Sequence, residues 1–126
     1  MARERTDWGR KFRDAGRGIV TAVRTQVSLR VHMAVAVVVI GAGVLLGLTP
    51  GRLGLLAAMC TLVIALEIVN SALETLVRGH IPEPSEFAGR ALDMSAGAVL
   101  VASIGAVAVG LLVLGARILE LLPPAG

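Results

Sequence analysis

The sequence is poor in aromatic residues and in lysine. Aromatic side chains make up 2% of the 126 residues, tyrosine is absent, and Lys11 is the only lysine. Proteins that bind nucleic acid commonly combine basic residues with aromatic side chains that stack on bases, so the composition argues against nucleic acid as a partner. Cys60 is the only cysteine, which excludes a disulfide within the chain, and we interpret it as a packing residue.

Charged residues are missing from two long stretches of a chain that is 56% hydrophobic. Residues 31–51 and residues 94–116 contain no Asp, Glu, Lys or Arg, and these runs are 21 and 23 residues long. Crossing a hydrocarbon core of ~30 Å takes about 20 apolar residues. A third apolar run begins at residue 53. The pattern predicts an all-α membrane protein with one integral-membrane domain, residues 1–126, and transmembrane helices at about 32–48, 53–77 and 94–116.

Positive charge is concentrated at the N-terminus. The first 30 residues hold eight basic and three acidic residues, a net charge of +5, which predicts a cytoplasmic N-terminus by the positive-inside rule. Residues 8–30 are predicted to form an amphipathic helix in the membrane interface. Its apolar face is formed by Trp8, Phe12, Ala15, Ile19 and Val23. The same spacing then reaches Gln26 and Arg30, which either face a protein cleft or lie among headgroups where the helix bends upward.

A polar stripe interrupts the second apolar run. Glu67, Asn70 and Glu74 fall within roughly 60° of one another on a helix that advances about 100° per residue. Ionisable groups at membrane depth cost at least a few kcal/mol each, so the stripe is expected to have a use. From the helical rise, Glu74 is predicted near the cytoplasmic interface and Glu67 about two turns deeper.

The residues of the stripe are compatible with three uses. Glu67 could act as a general base on a lipid hydroxyl while Glu74 holds Mg²⁺, which accepts one or two carboxylates together with phosphate oxygens. That arrangement would suit phosphoryl transfer to a lipid alcohol. The stripe could equally form a proton or cation path, or hydrogen-bond helices together. The sequence contains neither a P-loop motif nor a protein-kinase glycine loop, so a nucleotide site would be of another kind.

The segment before the third span contains Pro82 and Pro84 and is predicted to be an irregular cytoplasmic loop. Ser85 is predicted to cap a short helix that continues through Arg90. Asp93 then stands at the start of the third span, where both a capping role and a functional role are open.

Small residues recur at four-residue spacing in the first and third spans, which favours close helix packing. They are Gly43 and Gly47 in the first span and Ala98, Ala102, Ala106 and Gly110 in the third. Three spans alone would enclose a polar stripe poorly. We therefore expect an oligomer whose packing shields both flanks of Glu67 from lipid.

Two motifs resemble a known family. They are Glu67-Ile-Val-Asn70-Ser-Ala-Leu-Glu74 and Gly89-Arg90-Ala-Leu-Asp93-Met-Ser-Ala-Gly-Ala-Val-Leu. Together with the helix pattern they resemble the small integral-membrane diacylglycerol kinases of prokaryotes and the related undecaprenol kinases, over residues 11–114. The resemblance implies a homotrimer in the bacterial cytoplasmic membrane that transfers the γ-phosphate of ATP, with Mg²⁺, to undecaprenol or diacylglycerol.

The same resemblance implies roles for individual residues. Glu67 would be the general base and Asn70 would line the same catalytic site. Glu74 and Gln26 would be metal ligands. The nucleotide-binding residues would be Glu74, Asp93, Gln26, Glu83 and Arg17.

The chain departs from the family pattern at the nucleotide end. Gln26 stands where the family has a metal-binding glutamate, and Leu92 stands where it has a lysine that neutralises the transferring phosphate. The family's tyrosine and loop histidine are matched by Asp14 and Ser85. Either an arginine such as Arg17 or Arg90 replaces the lysine, or activity is weakened. The alternative is therefore a catalytically impaired homologue that acts as a lipid-binding or structural membrane protein.

The acceptor is indicated only by a short segment. Arg30-Val31-His32 resembles the corresponding stretch of undecaprenol kinases more than that of the diacylglycerol enzymes. We keep both lipids as candidate acceptors.

Overall fold

The fold is all-helical. A computed structural model describes residues 7–80, 82–83 and 85–126, and no strand occurs among them. The helices are α1 (Trp8–Thr25), α2 (Val27–Leu45), α3 (Pro50–His80) and α4 (Glu86–Leu121). Helices α2, α3 and α4 are each long and apolar enough to cross a membrane. This confirms the predicted fold class and the three candidate spans, and it indicates a membrane protein.

The N-terminal helix is shorter than predicted. Gln26 has extended backbone angles, φ −108° and ψ 111°, so α1 ends at Thr25 and residues 27–30 begin α2. Arg30 folds back over this break and donates from Nη1 to the carbonyls of Val23 (3.0 Å) and Arg24 (2.9 Å). The last carbonyls of a helix lack partners within it, and a cation is favoured beside them. Arg30 therefore caps the C-terminal end of α1.

The turn between α2 and α3 begins with a Schellman motif. Gly47 has φ +68°, its N–H donates to Val44 O at 3.0 Å, and the N–H of Leu48 donates to Gly43 O at 3.0 Å. Glycine is favoured here because positive φ strains other residues. Gly47 therefore terminates α2, and the expectation that Gly43 and Gly47 form one packing face of a helix is wrong.

The helix that contains the third candidate span begins before the predicted start of that span. Helix α4 is continuous from Glu86 to Leu121, and its N-cap is Ser85, whose Oγ accepts from the Ala88 N–H at 3.3 Å. Asp93 lies about two turns inside this helix. The prediction of a separate short helix is therefore wrong, because no residue between 86 and 93 breaks α4. A capping role for Asp93 is excluded, since this residue lies inside the helix. The predicted cap at Ser85 is confirmed.

Helix α3 is the central element and packs against both α2 and α4. Leu29 on α2 and Leu56 on α3 are almost fully buried. Most other large apolar side chains point outward, as Val37 and Leu112 do with exposed fractions of 73% and 72%. Of the small residues predicted to pack along α4, only Ala102 is buried. The helices therefore present a largely apolar exterior, which suits a lipid surrounding.

A polar cluster ties the end of α4 to the α2–α3 turn. Arg117 donates from Nε to Leu46 O at 2.7 Å and lies 3.3 Å from Glu120 through Nη1. The other carboxylate oxygen of Glu120 is 2.9 Å from Nη2 of Arg52 on α3. These contacts fix the end of the bundle that lies away from α1.

Candidate functional site

Glu67 is buried against α2. Its residue is 4% exposed, Ser28 Oγ donates a hydrogen bond to its Oε1, and His32 Nε2 lies 3.8 Å from its Oε2. The backbone carbonyl of Glu67 also accepts from Ser71 Oγ at 2.8 Å. The carboxylate is therefore placed by two residues of α2 that are four positions apart and so share a helix face.

The sequence analysis does not predict Ser28 and His32 as neighbours of Glu67. A signal was available, because Ser28 and His32 stand at four-residue spacing at the start of a helix whose other residues, apart from Arg30, are apolar. In the sequence, His32 is singled out only as part of the Arg30-Val31-His32 segment that resembles undecaprenol kinases. Helical periodicity shows which residues share a face, but it does not identify the helix that covers that face.

Asn70 faces α4 instead. It is 8% exposed, and Ser95 Oγ lies 2.6 Å from its Oδ1 and 2.9 Å from Leu92 O. A serine hydroxyl has one proton, so it can donate to only one of these oxygens at a time. The polar stripe is thus divided, with Glu67 held by α2 and Asn70 held by α4.

The structure changes the reason for expecting an oligomer. From the sequence, only packing between subunits is expected to shield both flanks of Glu67 from lipid. That premise is wrong, because α2 and α3 of one chain already bury the glutamate. The homotrimer therefore stays a prediction from the family resemblance alone.

The remaining acidic residues of the predicted site are more open. Glu74 is half-buried on α3, and Asp93 on α4 and Glu83 in the α3–α4 loop are exposed. Within residues 7–80, 82–83 and 85–126, none of these three carboxylates accepts a hydrogen bond or forms an ion pair. Their carboxylates are thus unengaged in the described part of the chain.

Arg17 and Gln26 line one groove between α1 and α3. The groove has a volume of about 800 Å³, and its α3 wall includes Ser71 and Thr75. Arg17 Nη2 lies 3.8 Å from Asp14 Oδ1, which also lines the groove. Glu67, Asn70, Glu74, Glu83 and Asp93 are not among the lining residues. One chain therefore brings together only two of the predicted site residues in this groove.

Neither arginine that could replace the family's lysine is without a partner. Arg17 is paired with Asp14, and Arg90 is paired with Glu86 one turn away. Both pairs are well exposed, so each contributes little and can be exchanged for another anion. Leu92 is half-buried on α4 and offers no charge.

The donors present fit a magnesium ion held jointly with phosphate. Within the described residues there is no group of three or more His, Cys, Asp and Glu side chains that could enclose a metal. Mg²⁺ does not need one, because it keeps waters and phosphate oxygens beside one or two protein ligands. Glu74 has an unengaged carboxylate and Gln26 an amide oxygen, so each is a ligand of the kind that Mg²⁺ accepts; Gln26 lines the α1–α3 groove and Glu74 does not.

The comparisons with known proteins agree with these observations. A family model described as prokaryotic diacylglycerol kinase matches residues 13–114. A curated diacylglycerol kinase of Synechocystis sp. is 42% identical over 100 residues, which cover 79% of this chain and 57% of that relative. The chain thus spans little more than half the length of the curated relative. No solved structure matches the chain significantly. Since the family match covers most of its residues, the chain belongs to the prokaryotic diacylglycerol kinase family.

Proposed function

We propose that this chain is a membrane lipid kinase that transfers the γ-phosphate of ATP to the hydroxyl of diacylglycerol or undecaprenol. The family and the name of the relative support this proposal. The observation that carries it is Glu67, a carboxylate that is 4% exposed within an apolar helix and held by Ser28. A general base must lie within hydrogen-bond reach of the proton it removes, so a carboxylate held in one position is suited to that role.

Each predicted residue has a role in this proposal. Glu67 accepts the proton of the lipid hydroxyl, and Asn70 lines the same site. Glu74 and Gln26 hold Mg²⁺, which neutralises charge on the phosphates when bound. Further contacts to the nucleotide come from Arg17, Glu83 and Asp93.

The proposal includes a place and an assembly. The enzyme lies in the bacterial cytoplasmic membrane as a homotrimer, with α1 in the interface and the N-terminus in the cytoplasm. The excess of basic residues before the first span supports this orientation. The exposed Trp8 and Phe12 on α1 support contact of that helix with lipid.

Reconstitution of the full chain tests the kinase activity. Purified protein in lipid vesicles receives MgATP with diacylglycerol or undecaprenol, and lipid phosphate is measured. We expect product with at least one acceptor and a loss of about 10²-fold or more in Glu67→Gln, the range for a general base. Glu120→Gln makes the same chemical change at the other end of the bundle and should keep the activity. Absence of product with every common nucleoside triphosphate would refute the proposal.

The second candidate is a catalytically impaired homologue that binds lipid without phosphorylating it. Leu92 favours it, because a half-buried aliphatic side chain cannot stabilise a transferring phosphate. Nucleotide binding by the purified protein, with and without magnesium, separates the two candidates. Magnesium-dependent binding of ATP supports the kinase, whereas lipid binding with no nucleotide binding supports the impaired homologue.

A further inference from the structure

The two α2 residues at Glu67 lie on a fixed part of that helix. Leu29 follows Ser28 directly and is fully buried, and Ala36 is buried four residues after His32. The first three turns of α2 therefore include two residues buried in the bundle, where α2 packs on α3. Ser28 and His32 meet the carboxylate from this rigid surface.

The contacts use both carboxylate oxygens. Ser28 donates to Oε1, and the imidazole of His32 stands 3.8 Å from Oε2, which is beyond direct hydrogen-bond distance. His32 therefore confines Oε2 by its bulk and presents a polar edge to it. An ionised carboxylate can accept about four hydrogen bonds, so acceptor positions remain open for a substrate hydroxyl.

We propose that Ser28 and His32 are positioning residues that hold Glu67 in the geometry of a base, an inference that rests on the proposed kinase function. A glutamate side chain has three rotatable bonds, and α3 alone does not restrict them to one arrangement. The hydrogen bond from Ser28 fixes Oε1, and the imidazole of His32 limits the positions open to Oε2. Misplacement of a catalytic group by about 1 Å can reduce a rate by about 10²-fold.

Kinetics of the reconstituted enzyme test this inference. We expect Ser28→Ala and His32→Ala to lower kcat by about 10- to 100-fold, with KM for ATP and for the lipid within about twofold of wild type. Ser28→Thr keeps a hydroxyl and His32→Gln keeps a polar edge, so both should retain most of kcat. Ser103→Ala is the matched control, since it removes a serine hydroxyl from another helix. Equal kcat in the wild type, Ser28→Ala and His32→Ala would overturn the inference and leave the kinase proposal intact.

A second measurement does not depend on activity. Dicyclohexylcarbodiimide, an apolar reagent that modifies carboxyl groups, is applied to the vesicles, and modification of Glu67 is followed by mass spectrometry. Replacing both neighbours by alanine uncovers the carboxyl, so the Ser28→Ala/His32→Ala double variant should react severalfold faster than the wild type or Ser103→Ala. An unchanged rate would overturn the inference. If the wild type forms no lipid phosphate, the kinase proposal fails, and a faster reaction still shows that α2 holds Glu67.

Discussion

Ser95 on α4 and Asn70 on α3 form a polar contact between two candidate membrane spans, with 2.6 Å from Oγ to Oδ1. Ser95→Ala removes the donor and leaves the buried amide oxygen of Asn70 without it. Hydrogen bonds between membrane helices contribute about 0.5–2 kcal/mol, so we expect the free energy of unfolding to fall by about that amount. Unfolding in mixed detergent micelles, followed by circular dichroism, measures the change.

Ser103 provides the matched control on the same helix. Its Oγ is buried and has no hydrogen-bond partner in the portion of the chain that the structure covers. Ser103→Ala therefore removes an unsatisfied hydroxyl and should leave stability unchanged or slightly higher. An equal loss in Ser95→Ala and Ser103→Ala would show that the Asn70 contact contributes nothing.

Two glycines of α2 should respond differently to substitution by alanine. A Cβ at Gly43 would lie 2.9 Å from Leu48 Cδ1 and 3.1 Å from Leu53 Cδ1, whereas a Cβ at Gly41 would meet nothing within 4 Å. At Gly43 the ends of both leucine side chains must shift to admit the methyl group, so Gly43→Ala should be the less favourable of the two substitutions. Gly41→Ala should raise the free energy of unfolding by about 0.5–1 kcal/mol, because glycine weakens a helix interior. The same unfolding assay tests both, and an equal gain in stability from Gly43→Ala and Gly41→Ala would contradict the close packing at Gly43.

The sequence was sufficient to predict the spans because membrane crossing imposes a length and an absence of charge. Residues 31–51 and 94–116 meet that demand whatever they pack against. The ends of the helices were predicted less well. The break at Gln26 is stabilised by Arg30 capping α1, and the continuity of α4 past Asp93 depends on the cap at Ser85. A charge pattern marks where a helix leaves the hydrocarbon, but it does not mark where the helix itself ends.

The candidate site was predicted only in part for a similar reason. Periodicity identified Glu67 and Asn70 as residues of one stripe, and both are buried. It did not indicate that neighbours on one stripe turn toward different helices, Glu67 toward α2 and Asn70 toward α4. The partners Ser28 and Ser95 come from chain segments 39 and 25 residues away. Such contacts depend on helix packing, which local sequence does not determine.

The guanidinium of Arg117 should be important for closing the bundle at the end remote from α1. It donates to Leu46 O at 2.7 Å and pairs with Glu120. A hydrogen bond from a charged donor contributes about 1.5–3 kcal/mol, so Arg117→Ala should lower the free energy of unfolding by roughly that amount. Arg78→Ala removes an exposed arginine that makes no ion pair with any described residue, and it should cost less than about 0.5 kcal/mol. If Arg117→Ala and Arg78→Ala lower the free energy of unfolding equally, the contact of Arg117 with Leu46 O is not stabilising.

Restoring charge at positions 26 and 92 should improve the proposed kinase through two separate steps. Gln26→Glu adds a carboxylate to the metal ligands, so the Mg²⁺ concentration for half-maximal rate should fall. Leu92→Lys adds a cation for the transferring phosphate, so kcat should rise by about tenfold or more. Leu92→Met keeps the volume without charge and serves as the control.

The two changes should act independently on the rate. Gln26 lines the α1–α3 groove, and Leu92 lies on α4 outside that groove. Substitutions with no shared contacts usually add in free energy, so the double variant should show both effects together. If Leu92→Lys raises kcat only in combination with Gln26→Glu, the metal and the introduced cation act on one phosphate. A double variant with wild-type kinetics would instead show that the loss of these two charges does not limit the enzyme.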